Sequence, residues 1–379
     1  MATKYDVFAE IIEKAPCKPK DLSFKSPVYM HISSLQKQGW VRKTSGMLVP
    51  VNDKTTQNVF KIIKYCFNHG LDHNVFLTKS TGNVLRHLPD GLPDLRPEPL
   101  KGNKEMTRVL NYLEENQFIL KHSRKPARGR MLKHQLLEWS AEFHGLRIVL
   151  RDVERPHLAQ KILKLKVEPI NPFEGKIFAF LTGSAQLEGS TMTEGNTRDL
   201  LLRDIYPDKP SKDIQMVKNL NEALKFIIEN KDKEITPERI QEINKLVMFS
   251  LHANAGKYKI TQNRIQGNPS FKTARPEDVP GLVKEFCDKV AGISKKEDLL
   301  EELGHIHNQL QRIHPFSDGN SRTTRMVLNW IIIKHDLPVI ILKMGSFDEY
   351  LSLTKLSSIR DDESLNQLFL ELIVHENIF

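Results

Sequence analysis

The 379-residue sequence predicts a mainly helical protein with small mixed α+β modules towards its start. Three observations carry this. Apolar residues recur at helical spacing through 217–230, 237–253, 279–291 and 298–313, and again through 323–335. In 298–313 the buried side reads Leu299, Leu300, Leu303, Ile306 and Leu310. Near the start, by contrast, short helical stretches are followed by strand–turn–strand patterns. The third observation is charge. The net +9 is uneven: residues 1–150 carry 24 Lys+Arg and 14 Asp+Glu, while the remaining residues balance at −1. A basic module joined to a near-neutral one suggests two jobs, the first with an anionic partner.

Taking the elements in order, Val7, Phe8, Ile11 and Ile12 have helical spacing within 7–16, and Val28, Ile32 and Leu35 mark a helix over 27–38. Gly39 fits a helix C-cap. Trp40–Pro50 then reads as strand, Ser-Gly turn and strand. Helices followed by a small hairpin resemble winged helix-turn-helix DNA-binding domains. The pattern recurs: Leu35–Val41 is similar to Leu113–Ile119, each a helix end followed by an aromatic–aliphatic strand start. The second copy runs on through Lys121–Lys133, with six basic and no acidic residues around a Pro/Gly turn. Arg124, Lys125, Arg128 and Arg130 are its candidate DNA-phosphate contacts. The Pro-rich stretch 88–99 is expected to break regular structure between the copies. The expected boundaries are a winged-helix domain at 1–55, a second winged-helix-like basic region at 56–150, and a helical domain at 151–379.

Composition excludes several classes. At 39% hydrophobic and 27% charged, the chain is ordinary globular material. No run of ~18 apolar residues exists, so no membrane association is expected. Residues 1–6 lack an apolar stretch, so no signal peptide is expected. Cys17, Cys66 and Cys287 are too few and too scattered for a disulfide framework or a zinc finger, and a cytoplasmic location is the expectation.

The segment His314-Pro315-Phe316-Ser317-Asp318-Gly319-Asn320-Ser321-Arg322-Thr323-Thr324-Arg325 lies between two predicted helices. Pro315, Gly319 and Asn320 stop the first helix, and Asn320-Ser321 is a reasonable N-cap pair for the second. Free backbone N–H groups at that start suit an anion, and Arg322 and Arg325 fall on one helical face. His314 is a candidate general base and Asp318 a candidate ligand for Mg²⁺ bridging phosphates. The plainer reading, a capped helix end whose arginines meet carboxylates, has to account for six polar residues within twelve positions.

This segment resembles the signature of the Fic family, His-Pro-Phe-x-Asp/Glu-Gly-Asn-Gly/Lys-Arg-x-x-Arg. Ser321 is the one departure, and the absence of Lys there argues against the Doc-type kinase branch. The resemblance extends over about residues 170–370. It implies a helical core with a short β-hairpin flap, and transfer of AMP from ATP to a Ser, Thr or Tyr hydroxyl of a protein, the chain itself included. His314 would be the base, Asp318 the Mg²⁺ ligand, and Gly319, Asn320, Ser321, Arg322 and Arg325 the phosphate cradle. Ile265 and Tyr350 would adjoin the nucleotide, and the flap residues Asn263, Arg264 and Gln266 would clamp the target. Ser190-x-x-x-Glu194-Gly195 resembles the family's inhibitory motif, so Glu194 would pair with Arg325 and exclude the γ-phosphate; read alone, that pattern is equally a helix C-cap. Self-association is common in the family. Two alternatives stand: a Fic-type phosphotransferase or de-AMPylase, and a DNA-binding transcriptional regulator with a nucleotide-sensing module.

Overall fold

A computed structural model describes residues 2–24, 28–87, 102–125, 127–148, 158–168, 170–171, 174–265 and 267–378. The Pro-rich stretch 88–99 and Gln266 lie outside these residues. The chain divides into two compact units. One comprises 1–90, 96–112 and 133–151; the other comprises 91–95, 113–132 and 152–379. The second unit therefore takes in a segment that the expected boundaries assigned to 56–150.

In the first unit, α1 (Lys4–Lys14) and α2 (Val28–Lys37) precede the antiparallel pair β1 (Val41–Thr44) and β2 (Met47–Pro50). Thr3 and Asp6 form a capping box that starts α1 one turn before its first apolar residue. Ser45 and Gly46 both adopt positive φ, which matches the twist of a two-residue hairpin turn. Phe8, Trp40 and Phe143 stack at centroid spacings of 5.4 and 5.9 Å and form the unit's aromatic centre. The helices α3 (Lys54–His69), α4 (His73–Leu77) and α5 (Lys79–His87) follow. Then come α6 (Lys104–Glu115), which runs on into the second unit, and α7 (Gln135–Phe143).

The second unit holds the antiparallel pair β3 (Ile119–Arg124) and β4 (Ala127–Met131). Its helices are α8 (Ala159–Ile162), α9 (Gly175–Gln186), α10 (Glu194–Arg203), α11 (Ser211–Glu229), α12 (Pro237–Val247), α13 (Val279–Ala291), α14 (Lys296–Ile313), α15 (Asn320–Lys334), α16 (Phe347–Leu353) and α17 (Asp362–Asn377). Residues 322–333 of α15 are buried on every side, so this helix is the axis of the bundle, packed by α9, α11, α12 and α14. The α12 helix stops at Val247, earlier than its apolar pattern suggested, with Ser250 at positive φ just beyond.

The repeat expected from the sequence exists in hydrogen bonds. Trp40 N–H donates to the Leu35 carbonyl (3.0 Å) and Phe118 N–H to that of Leu113 (2.8 Å). Val51 N–H meets the Trp40 carbonyl as Leu132 N–H meets that of Phe118. The second hairpin, however, is built into the helical unit. Lys121 N–H donates to His375 Nδ1 on α17 (2.9 Å), and His375 Nε2 donates to the Glu114 carbonyl (2.9 Å). Arg130 is clamped between Glu371 and Glu349 at 2.5–3.0 Å. Burial works against the Glu371 carboxylate, but the His122 hydrogen bond and the Arg130 charge bring it down to about 2. This corrects the expectation for Arg130. A guanidinium held by two carboxylates is not offered to a phosphate, and it serves to lock β4 onto α16 and α17. Arg124, Lys125 and Arg128 are exposed at the hairpin's far end.

Candidate functional site

The loop between α14 and α15 is shaped by two residues of left-handed backbone. His314 closes α14 at φ 51°, ψ 61°, with its N–H on the Leu310 carbonyl (3.0 Å). Gly319 precedes α15 at φ 77°. A Cβ there would sit 2.5 Å from Met248 Sδ, so only glycine fits. The N-cap is thus Gly319 and not the Asn320-Ser321 pair. No side chain caps the first turn of α15, which leaves that helix start open to an anion. The side chain of Asn320 turns back into the loop instead: its Oδ1 accepts from Phe316 N–H (2.9 Å) and its Nδ2 donates to the Phe316 carbonyl (2.7 Å). These two bonds shape the loop and use one of the two Nδ2 hydrogens, while Asn320 also lines the cavity beside His314.

Asn244 on α12 holds the same loop from outside. Its Nδ2 donates to the Asp318 carbonyl and Thr323 Oγ1 (both 3.1 Å), and its Oδ1 accepts from Gly256 N–H (2.9 Å). Sequence reading missed it. The available signal was a polar residue on the apolar face of α12, between Ile240, Ile243 and Val247.

His314 borders a cavity of about 200 Å³. Its imidazole is pushed down to about 4, first by burial and then by the Lys259 charge, so it is neutral near pH 7. Lys259 is itself buried. Its ammonium donates to Thr273 Oγ1 (3.0 Å) and the Ile313 carbonyl (3.4 Å), and burial pushes it down to about 8. Its backbone N–H meets the Pro315 carbonyl (2.9 Å), so the flap base is pinned beside His314. The structure gathers Asn263, Arg264, Ile265, Asp318, Gly319, Asn320, Ser321, Arg325 and Tyr350 around the same cavity. Arg322 is buried and is not among the residues that line this cavity; its Nε and Nη1 lack hydrogen-bond partners among the described residues and its Nη2 is 3.5 Å from Asp318 Oδ1.

Arg325 is held by three hydrogen bonds. Its Nε donates to Ser184 Oγ (3.0 Å), and its Nη2 donates to the Ser184 carbonyl and to Glu188 Oε1 (both 2.9 Å). Burial opposes ionisation of Glu188, but Arg325 and Arg322 hold its carboxyl below the usual range. This overturns the pairing expected for Glu194. Glu194 opens α10, and the charges acting on it are those of Lys343 and Glu376. Glu194 itself is exposed. The residues on Arg325 form Ser184-x-x-x-Glu188-Gly189, the same spacing six residues earlier, and that repeat was legible but passed over.

Tyr350 is buried, and its hydroxyl donates to His307 Nε2 (2.8 Å), an imidazole that burial and Arg360 push down to about 3. Among the described residues the flap forms no regular ladder: Ile265 bridges Asn268, and Tyr258 bridges Phe316. Asn263 donates to the Phe316 carbonyl (2.8 Å), which anchors the flap, and it also lines the cavity. Arg264 is exposed. For Mg²⁺, no group of three carboxylate, His or Cys side chains occurs among the described residues. Asp318, with a half-exposed carboxylate at the cavity wall, fits the mode in which one protein carboxylate holds the ion together with the nucleotide's phosphates.

Residues 234–332 match the Fic/DOC family. The protein adenylyltransferase Fic of Nematostella vectensis is 30% identical over 181 residues, covering 46% of this chain and 41% of that one. The protein adenylyltransferase fic-1 of Caenorhabditis elegans is 27% identical over 191 residues, covering 48% and 37%. The chain thus spans about two fifths of the length of these relatives. Among solved structures, a Fic domain containing signaling protein from Bacteroides thetaiotaomicron aligns with a TM-score of 0.48 at 24% identity, over 58% of this chain and 92% of that one.

Proposed function

We propose that this protein is an adenylyltransferase that moves AMP from ATP to a Ser, Thr or Tyr hydroxyl of a protein and is restrained by its own Glu188. The observation that carries this is the placement of a neutral His314 in one cavity with the uncapped start of α15 and Asp318. His314 takes the proton of the target hydroxyl as its oxygen attacks the α-phosphorus. The bond to the β-phosphate bridging oxygen breaks, and pyrophosphate leaves. The N–H groups at the start of α15 and the free nitrogens of Arg322 stabilise the charge on the phosphate oxygens. Asp318 would hold Mg²⁺ together with those phosphates, and the ion would supply further charge neutralisation. Ser321 keeps the helix start polar. Tyr350 and Ile265 wall the cavity where the rest of the nucleotide lies.

Arg325 is the residue left to meet the γ-phosphate, and Glu188 occupies it. Inhibition is relieved when that ion pair opens. The test is transfer from labelled ATP: Glu188→Gly raises it, and His314→Ala on that background abolishes it. Equal, low transfer by wild type and Glu188→Gly would overturn the reading, and mass spectrometry showing added phosphate in place of AMP would favour the phosphotransferase alternative.

A second role rests on a separate observation. Two helices lead into the β1–β2 hairpin, and the whole positive excess falls within residues 1–150. This supports a DNA-facing N-terminal part, which predicts binding that weakens steeply with salt; binding indifferent to salt rejects it.

A further inference from the structure

Arg360 stands on the wall of the same cavity and was not among the residues the sequence singled out. It is 2% exposed. Its Nε, Nη1 and Nη2 have no hydrogen-bond partner among the described residues, and the guanidinium carbon lies over Phe271, 4.2 Å from the ring centroid. The nearby acceptors are committed elsewhere. Asp362 takes hydrogen bonds from His305, Asn308 and Arg312, and the Tyr350 hydroxyl donates to His307 while its oxygen is set against Arg325. Arg312 also caps the Arg360 carbonyl (3.0 Å). The residue holds φ 56°, a backbone that glycine or asparagine adopts more easily. A buried guanidinium is costly unless charge-paired, and here the described residues provide ring contact and the more distant charge of Asp362, but no hydrogen-bonded anion.

The rest of the lining says what kind of group answers it. Of the charged residues there, Arg325 and Glu188 satisfy each other; Arg264, Lys355 and Arg360 remain against Asp318 alone. The balance favours an anion, and the planar fork of an arginine fits two oxygens of one phosphate. We propose that Arg360 is a phosphate-binding residue of this cavity, gripping a phosphate group of the nucleotide. Its identification as nucleotide phosphate rests on the ATP reading above; the anion specificity itself does not.

The test is calorimetric titration of the full chain with ATP, inorganic pyrophosphate and adenosine, alongside thermal melting. Arg360→Met keeps the stem on Phe271 and removes the fork. The expectation is at least about a tenfold loss of ATP and pyrophosphate affinity, unchanged adenosine affinity, and a melting temperature equal to or above wild type. Arg360→Lys, which keeps the charge, loses less than Arg360→Met but more than about threefold. Wild type that binds pyrophosphate in an Arg360-dependent way but binds no ATP sustains the phosphate site and sinks the nucleotide reading. Pyrophosphate affinity unchanged in both variants, adenosine affinity falling in step with ATP, or no pyrophosphate binding by wild type overturns the proposal. Should Arg360→Met fail to fold, the pyrophosphate affinity of Arg360→Lys decides.

Discussion

Two short strings, Ser184-Ala185-Gln186-Leu187-Glu188-Gly189 and Ser190-Thr191-Met192-Thr193-Glu194-Gly195, have the same serine-to-glutamate-to-glycine spacing and end in different places. The first lies on the end of α9, with Gly189 at φ 88° just past the helix, and delivers both its serine and its glutamate to Arg325. The second straddles a break. Ser190 is in the connection, Thr193 is the N-cap of α10 in a capping box with Asn196, and Glu194 is the first helical residue. The serine and glutamate of a four-residue step share a face only when helical turns carry one to the other, as they do past Gln186, where the Leu187 and Glu188 N–H groups bond back to the Gly183 and Ala185 carbonyls. Spacing in sequence becomes spacing in space only through the secondary structure beneath it.

The largest expected effect tests the chemistry that both glutamates would govern. His314→Ala should reduce AMP transfer by about 10³-fold or more, measured with labelled ATP in the Glu188→Gly protein. Next comes the comparison itself. Glu188→Gly should raise transfer by about 10- to 100-fold, the scale of an ordinary coupling free energy, while Glu194→Gly stays within about twofold of wild type. The reverse ranking breaks the comparison. Ser184→Ala should raise transfer by only a few fold, about the effect of one hydrogen bond to a charged group when the neighbouring carbonyl still holds Arg325.

The smallest effect concerns pH. Because His314 sits at about 4, the Glu188→Gly protein should show nearly flat transfer from pH 6 to 8, declining as pH falls towards that value and the base protonates. An ordinary histidine would instead lose activity by about fourfold from pH 8 to pH 6. Glu188, held below the usual range by Arg325, keeps its charge across that window; inhibition is present above its folded pKa and is lost only as pH falls through it. A wild-type protein that becomes active at pH 6 contradicts this.

Much of the site was legible because its residues are contiguous: a helix stop, a glycine, an uncapped helix start and two arginines lie within 314–325. The helices of the bundle were legible from periodicity. What escaped depends on partners far along the chain. Arg130 looks like one more basic residue of a hairpin, yet its partners are Glu349 and Glu371, more than 200 residues on. Asn244 and Arg360 reach the loop and cavity from other elements, and no local pattern ties them to His314. Asn320 was placed in the right loop, but whether an amide faces a ligand or its own backbone is decided by the loop's closure.

The second hairpin bears on any attempt to dissect the protein. A shortened chain starting near residue 150 would preserve every residue of the 314–325 loop and still be incomplete. It would lack Arg130, leaving the wholly buried Glu371 without its cation, and would lack Lys121 and Glu114, which engage both ring nitrogens of His375. It would also lose Gln117, whose amide bonds to Ile341, Lys343, Ser346 and Glu376. The smallest piece to retain the helical unit intact begins before residue 113, so cutting between the two expected halves of the sequence would sever a single folding unit.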